Sequence, residues 1–131
     1  MLDQHSLDKL VTCHDHLQQI VHRVANTWSL TVLEGYRDKE AQEAAFAAGK
    51  TKLHYPNGRH NQMPSLAVDM IPNPIDWNDT KRIILFAGFV LGVADMLYIP
   101  LRWGGDWKNL HDPSHNSFND LGHFELISAH S

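Results

Sequence analysis

The segment Gly58-Arg59-His60-Asn61-Gln62-Met63-Pro64-Ser65-Leu66-Ala67-Val68-Asp69 carries a histidine at the end of a polar loop and an aspartate inside an apolar run, Leu66 to Ile71. The run has the residue types of a buried strand. An ionised carboxylate there needs a hydrogen bond, a cation or a metal to offset its desolvation, because uncompensated buried charge is driven to neutrality. His60 and Asp69 are therefore read as two ligands of one zinc ion. The rest of the chain must then supply a third ligand, a base and room for substrate.

Outward from this segment, the pattern alternates between helices and strands. Leu7, Leu10, Val11, Leu17, Ile20, Val21 and Val24 recur at helical spacing, which predicts one amphipathic helix with Ser6 as N-cap and a stop near Asn26. Trp28 to Glu34 reads as a strand, and Gly35-Tyr36-Arg37 as a turn. Asp38 caps a second helix, Lys39 to Ala48, which Gly49 ends. Lys50 to Met63 is loop, and Ser65 to Ile71 is the strand that carries Asp69. A helix from about Thr80 to Leu97 is apolar nearly all round, which marks it as central. Tyr98 to Trp103 and His123 to Ile127 are short strands, separated by an irregular polar stretch, Lys108 to Asn119. The order suggests an α+β fold: a small, mainly antiparallel sheet packed with three main helices.

Composition narrows the function classes. The chain has 131 residues, 43% hydrophobic and 20% charged, the profile of an ordinary soluble domain. It reads as a single domain, 1–131, long enough to bury about two-thirds of its unfolded surface. A formal charge of −4 and no basic stripe argue against nucleic acid as partner. No secretion signal opens the chain, and the apolar run Ile83 to Ala94 is too short to span a bilayer, so no stable membrane association is expected. Cys13 is the one cysteine, which excludes both an internal disulfide and a thiolate zinc cage. It lies on the apolar side of the first helix pattern and reads as a buried thiol. Of ten histidines, His5, His14, His16, His22 and His130 read as surface residues. His111, Asp112 and His115 are a rival candidate ligand set, disfavoured because Pro113 divides their loop.

Hydrolytic zinc sites take three protein ligands from His, Asp and Glu and keep a fourth position for water. The expected third ligand is His123, at the start of the last strand in Asp120-Leu121-Gly122-His123. Asp120, three residues upstream across a glycine, stands where a general base belongs. Glu125 shares the strand face of His123 and is either an orienting partner or a solvated edge acid. Asp69 could instead be a structural ion pair with Arg37 or Arg59. Trp103, Trp107 and Tyr36 line a groove or fill core, and Asp106 fixes a turn or meets substrate.

Taken together, His60-(loop)-Ser65-x-Ala67-x-Asp69, Trp103-Gly104-Gly105-Asp106-Trp107 and Asp120-x-x-His123 resemble the D-alanyl-D-alanine carboxypeptidase-like zinc peptidases. This family includes relatives of the van-type D,D-dipeptidases and of the hedgehog domain. Asp-x-x-His, rather than Glu-x-x-His, is similar to the subgroup of phage endolysins that are L-alanyl-D-glutamate endopeptidases. Gly35-x-Arg37 with Gln42 extends the resemblance, which runs from about Leu30 to Leu126. Ser65 stands where the family usually has glycine, and the His-to-Asp spacing is nine rather than seven.

The resemblance implies a hedgehog/D,D-peptidase-like fold, one catalytic zinc held by His60, Asp69 and His123, and Asp120 as acid/base. It implies Arg37 as the cation for the scissile carbonyl or a substrate carboxylate. Gln42, Ser65 and Trp107 are expected to meet substrate with it. The expected partner is the peptidoglycan stem peptide, cut between L-alanine and D-glutamate. A monomer without a separate wall-binding domain is expected, made in the cytoplasm of the infected bacterium and released through another protein's pore. A D-alanyl-D-alanine carboxypeptidase, or a catalytically silent zinc module that binds the wall, remains open at this point.

Overall fold

Ala67–Pro72 forms β2, an inner strand of a four-stranded antiparallel sheet ordered β1-β2-β4-β3, in a computed structural model that describes residues 1–116 and 119–127. β1 is Leu30–Glu34, β3 is Leu101–Trp103 and β4 is His123–Leu126. Among the described residues four α-helices complete the fold: α1 (Gln4–Leu10), α2 (Asp15–Ala25), α3 (Lys39–Ala47) and α4 (Thr80–Met96). The α+β architecture expected from the sequence is the one observed, with four helices rather than three. His130 and two positions of the Lys108–Asn119 stretch, 117 and 118, lie outside the described residues.

The two-residue period of the strands sorts the sheet into two faces. Val68 and Met70 of β2, Phe124 and Leu126 of β4 and Leu101 and Trp103 of β3 join one hydrophobic cluster with side chains of α1, α2 and α4. Asp69, His123 and Glu125 alternate with those core residues and therefore share the opposite face. The register puts Asp69 directly across from His123 on one side and Glu34 on the other. An irregularity between Val32 and Glu34 shifts the β1 register beside the site, the usual place for a bulge.

The single N-terminal helix expected from Leu7 to Val24 is two helices. Asp3, not Ser6, caps α1 by accepting from the Ser6 amide, and His14 caps α2. Between them Cys13 pairs with Ser65 as an isolated bridge, with backbone bonds from His14 N to Ser65 O and from Ser65 N to Thr12 O, both 2.8 Å. The break turns Val11 outward, 63% exposed, while Cys13 is buried as expected. Burial pushes the Cys13 thiol up to about 12, so it stays protonated and inert.

Ser6 is buried for another reason: its hydroxyl accepts the Val32 amide of β1 at 2.9 Å. Ser6→Ala leaves that amide without a partner and is expected to cost about 1–3 kcal/mol. Urea unfolding checks this, with a lower midpoint at unchanged slope as the expected result.

α4 is not central. Ile83, Phe86, Ala87, Val90 and Ala94 pack inward, while Ile84, Leu85 and Met96 remain exposed. Its all-round apolarity reflects an uncovered outer face as well as a buried one.

Candidate metal centre and active site

Three chain segments meet on the open face of the sheet. Arg59–Asn61 forms one turn of 3-10 helix that brings His60 in from the loop, β2 presents Asp69, and β4 presents His123. His60 Nε2 lies 3.1 Å from Asp69 Oδ1 and 3.3 Å from His123 Nδ1, and His123 Nδ1 lies 3.1 Å from Asp69 Oδ1. His60 and His123 are buried, and Asp69 is half-buried.

The outer nitrogens of both rings are engaged. His60 Nδ1 donates to the Gly35 carbonyl at 2.7 Å, and His123 Nε2 donates to Glu125 Oε1 at 2.9 Å. Each bond fixes a ring and leaves the other nitrogen facing the centre. Two imidazole nitrogens and a carboxylate oxygen thus converge, an electron-rich cluster that calls for a cation. Donors about 2.0–2.1 Å from a tetrahedral zinc stand about 3.3 Å apart, so the spacing fits a metal without rearrangement. Among the described residues, this is the group of His, Cys, Asp or Glu side chains able to hold an ion. The rival cluster does not form one: Asp112 pairs with an exposed His115 at 3.3 Å and caps its own turn.

Asp69 divides its oxygens. Oδ1 faces the imidazoles, and Oδ2 takes the Arg37 Nη2 at 3.4 Å. Burial opposes its charge, but His60 and His123 outweigh it and hold the carboxyl well below the usual carboxylate range. Burial likewise opposes charge on His123. Its bonds to Asp69 and Glu125, and the charges of Asp69 and Asp120, raise it to about 10.

Asp120 stands just outside the donor set, with Oδ2 3.9 Å from His123 Nδ1. Its backbone is tied to Gly104 and His123, and a Cβ at Gly104 would come within 2.1 Å of the Asp120 carbonyl. Only glycine permits that approach. Burial and the nearby charge of Asp69 raise the Asp120 carboxyl above its ordinary value, with His123, His60 and Arg37 pulling against them. An acid so placed can both take and return a proton.

Arg37 borders the same cleft, which encloses about 1010 Å³ and runs along α3 to the 49–53 loop. Its guanidinium also meets Gln42 Oε1 at 3.0 Å and Glu34 at 3.6 Å. Gln42 is a correction. It lines the cleft but is only 1% exposed, and its amide is engaged by Arg37, Asn61 and the Leu53 carbonyl, so its part is to aim Arg37. Ser65 is a second correction. It is 0% exposed, and its hydroxyl bonds to the backbone of Gly35 and Ala67 behind His60. The hydroxyl fits where the family has glycine because it replaces nothing in the cleft.

The aromatic readings separate. Trp107 does line the cleft, its ring 5.3 Å from that of His123. Trp103 is core and donates to the Leu121 carbonyl. Tyr36 is not among the described residues bordering the cleft. Asp106 is buried and accepts the amides of Leu110 and His111, fixing the turn that carries Trp107. Sequence reasoning missed Trp77, half-exposed at the rim against Gly122, although a large apolar ring between Asp76, Asn78 and Asp79 was a usable signal. It also missed Asn61, buried and donating to the Arg37 carbonyl, which had no signal apart from its loop.

Comparison with known proteins agrees with this architecture. A solved structure, that of the Serratia marcescens L-Ala D-Glu endopeptidase ChiX, matches with a TM-score of 0.72, covering 96% of this chain and 90% of its own. At 24% identity that likeness speaks for a shared fold. The sequence itself matches the family model described as phage L-alanyl-D-glutamate peptidase over residues 1–127, nearly the whole length. The chain therefore belongs to the phage L-alanyl-D-glutamate peptidase family, and is a peptidase that degrades peptidoglycan.

Proposed function

We propose that the chain is a zinc-dependent endopeptidase that hydrolyses the bond between L-alanine and D-glutamate in the peptidoglycan stem peptide. The observation that carries this reading is the convergence of His60, Asp69 and His123 with Asp120 beside them. Two imidazoles and a carboxylate form a catalytic zinc donor set that leaves one position for water or substrate. Zinc, when bound, supplies the Lewis acidity that activates water near neutral pH and polarises a carbonyl.

The protein's own groups do the rest. Asp120 takes a proton from the attacking water as its oxygen bonds to the carbonyl carbon. It then delivers that proton to the amine nitrogen as the C–N bond breaks. Arg37, held by Gln42 and Glu34, presents positive charge to the developing oxyanion or a substrate carboxylate. Trp107 and Trp77 form apolar walls for the peptide. The enzyme acts as a monomeric single catalytic domain. It reaches the wall of the infected bacterium through a pore made by another protein, and no described helix is long and apolar enough to cross a membrane.

Mass spectrometry of digested peptidoglycan tests this. A new D-glutamate amino terminus, abolished by a chelator and restored by zinc, is the expected result. Released D-alanine without that terminus would assign the carboxypeptidase activity instead, and activity indifferent to the chelator would remove zinc from the mechanism.

A further inference from the structure

Behind His123, on the side away from Asp69, lies a second ionic group. Glu125 gives Oε1 to His123, and its Oε2 sits between two guanidiniums, 3.6 Å from Arg59 Nε and 3.7 Å from Arg102 Nε. The arginines arrive from different elements. Arg59 begins the short turn that carries His60, and Arg102 of β3 is the cross-strand partner of Glu125. Among the described residues Arg102 Nε is shut off from solvent and has no hydrogen-bond partner, and the carboxylate beside it offsets its burial. Arg102 Nη1 also donates to the carbonyl of Trp107, whose ring flanks His123.

A carboxylate able to turn freely would not fix an imidazole. One whose second oxygen is clamped from both sides can only offer the first. We propose that Arg59 and Arg102 are positioning residues for the metal centre: they clamp Glu125 so that it aims His123 Nδ1 at the ion. Arg59 also links the two halves of the site, since its backbone carries one imidazole ligand and its side chain steadies the carboxylate behind the other. The inference rests on the zinc reading above, and it deepens it by naming what sets the grip on the metal.

The sign of the effect separates this role from simple charge. By Coulomb's law alone, removing a cation from the neighbourhood of a divalent ion tightens binding of that ion. Positioning requires the opposite. Zinc affinity, measured by competition with a chromophoric chelator, is therefore expected to fall about 3–10-fold in Arg59→Gln and in Arg102→Gln, and about 10–100-fold in Glu125→Ala. Either arginine substitution added to Glu125→Ala should cause no further loss, because the arginines act through the carboxylate. The absorption spectrum of the cobalt-substituted protein, which reports ligand geometry, should shift in the single variants. If Arg102→Gln fails to fold, Arg102→Lys, which keeps the charge but not the planar fork, serves the same comparison. Unchanged or tighter zinc binding in the arginine variants overturns the proposal while leaving the metal reading intact. So does a loss that persists in the Glu125→Ala background. A wild-type protein that takes up no zinc overturns both.

Discussion

Asp120→Asn is expected to lower peptidoglycan turnover by about 10²–10⁴-fold while the protein retains its zinc. Asparagine keeps the volume of the side chain and its backbone ties to Gly104 and His123, so the fold and the donor set stay in place. What disappears is the group that accepts a proton. The carboxylate lies 3.9 Å from His123 Nδ1, outside the three-donor cluster, and 35% of its side chain remains open. Burial, then the charge of Asp69, raises its pKa above the ordinary aspartate value. The acid limb of the pH–rate profile that Asp120 sets in the wild type should vanish in the variant. Turbidity clearance of cell walls gives the rate, and elemental analysis gives the zinc content. Retention of activity within a few-fold would remove Asp120 from the mechanism. Loss of zinc along with activity would make it a ligand.

Why was the meeting of His60, Asp69 and His123 legible in the sequence when the first helix was not? Asp69 announces itself because a charge within a six-residue apolar run has few ways to survive. Strand periodicity then places Glu125 on the face of His123. Such signals are local, and antiparallel pairing of β2 with β4 converts them into contact. The break at Val11-Thr12-Cys13-His14 depends on Ser65, more than fifty residues away, whose backbone bonds compete with helix continuation. No periodicity within residues 7–24 could reveal that. Ser6 misleads for a similar reason, since a serine near a helix start suits an N-cap as well as it suits a distant strand amide. Gln42 was found through the family motif, but its role was misassigned. Motif position says that a residue matters, whereas only its burial and three hydrogen-bond partners show that it holds Arg37. The two guanidiniums beside Glu125 Oε2 had no such signal, because Arg59 and Arg102 are ordinary cations in sequence.

Asp69→Asn is expected to weaken zinc binding by several orders of magnitude, since it removes the one anionic ligand and leaves two neutral imidazoles. The amide preserves shape, so circular dichroism should stay that of the wild type. A second consequence concerns protons. Burial would make His123 neutral, but its bonds to Asp69 and Glu125, with the charges of Asp69 and Asp120, raise it to about 10 in the metal-free protein. A metal can bind only to the unprotonated nitrogen, so zinc uptake must release that proton. Between pH 6 and 8, wild-type zinc affinity should rise about tenfold per pH unit. Without the Asp69 charge the histidine pKa falls and the slope flattens. The same groups shape the stability of the metal-free fold. The raised His123 contributes fully below its unfolded value of about 6.5, and that contribution is lost as pH climbs through about 10. The depressed Asp69 contributes above its unfolded value of about 3.9, and acid removes that contribution. Both act together between about pH 4 and 6.5, where the metal-free wild type should hold its largest advantage over Asp69→Asn in thermal unfolding. Zinc titrations between about pH 6 and 8 that show equal affinity and equal slope in the two proteins would exclude Asp69 as a ligand.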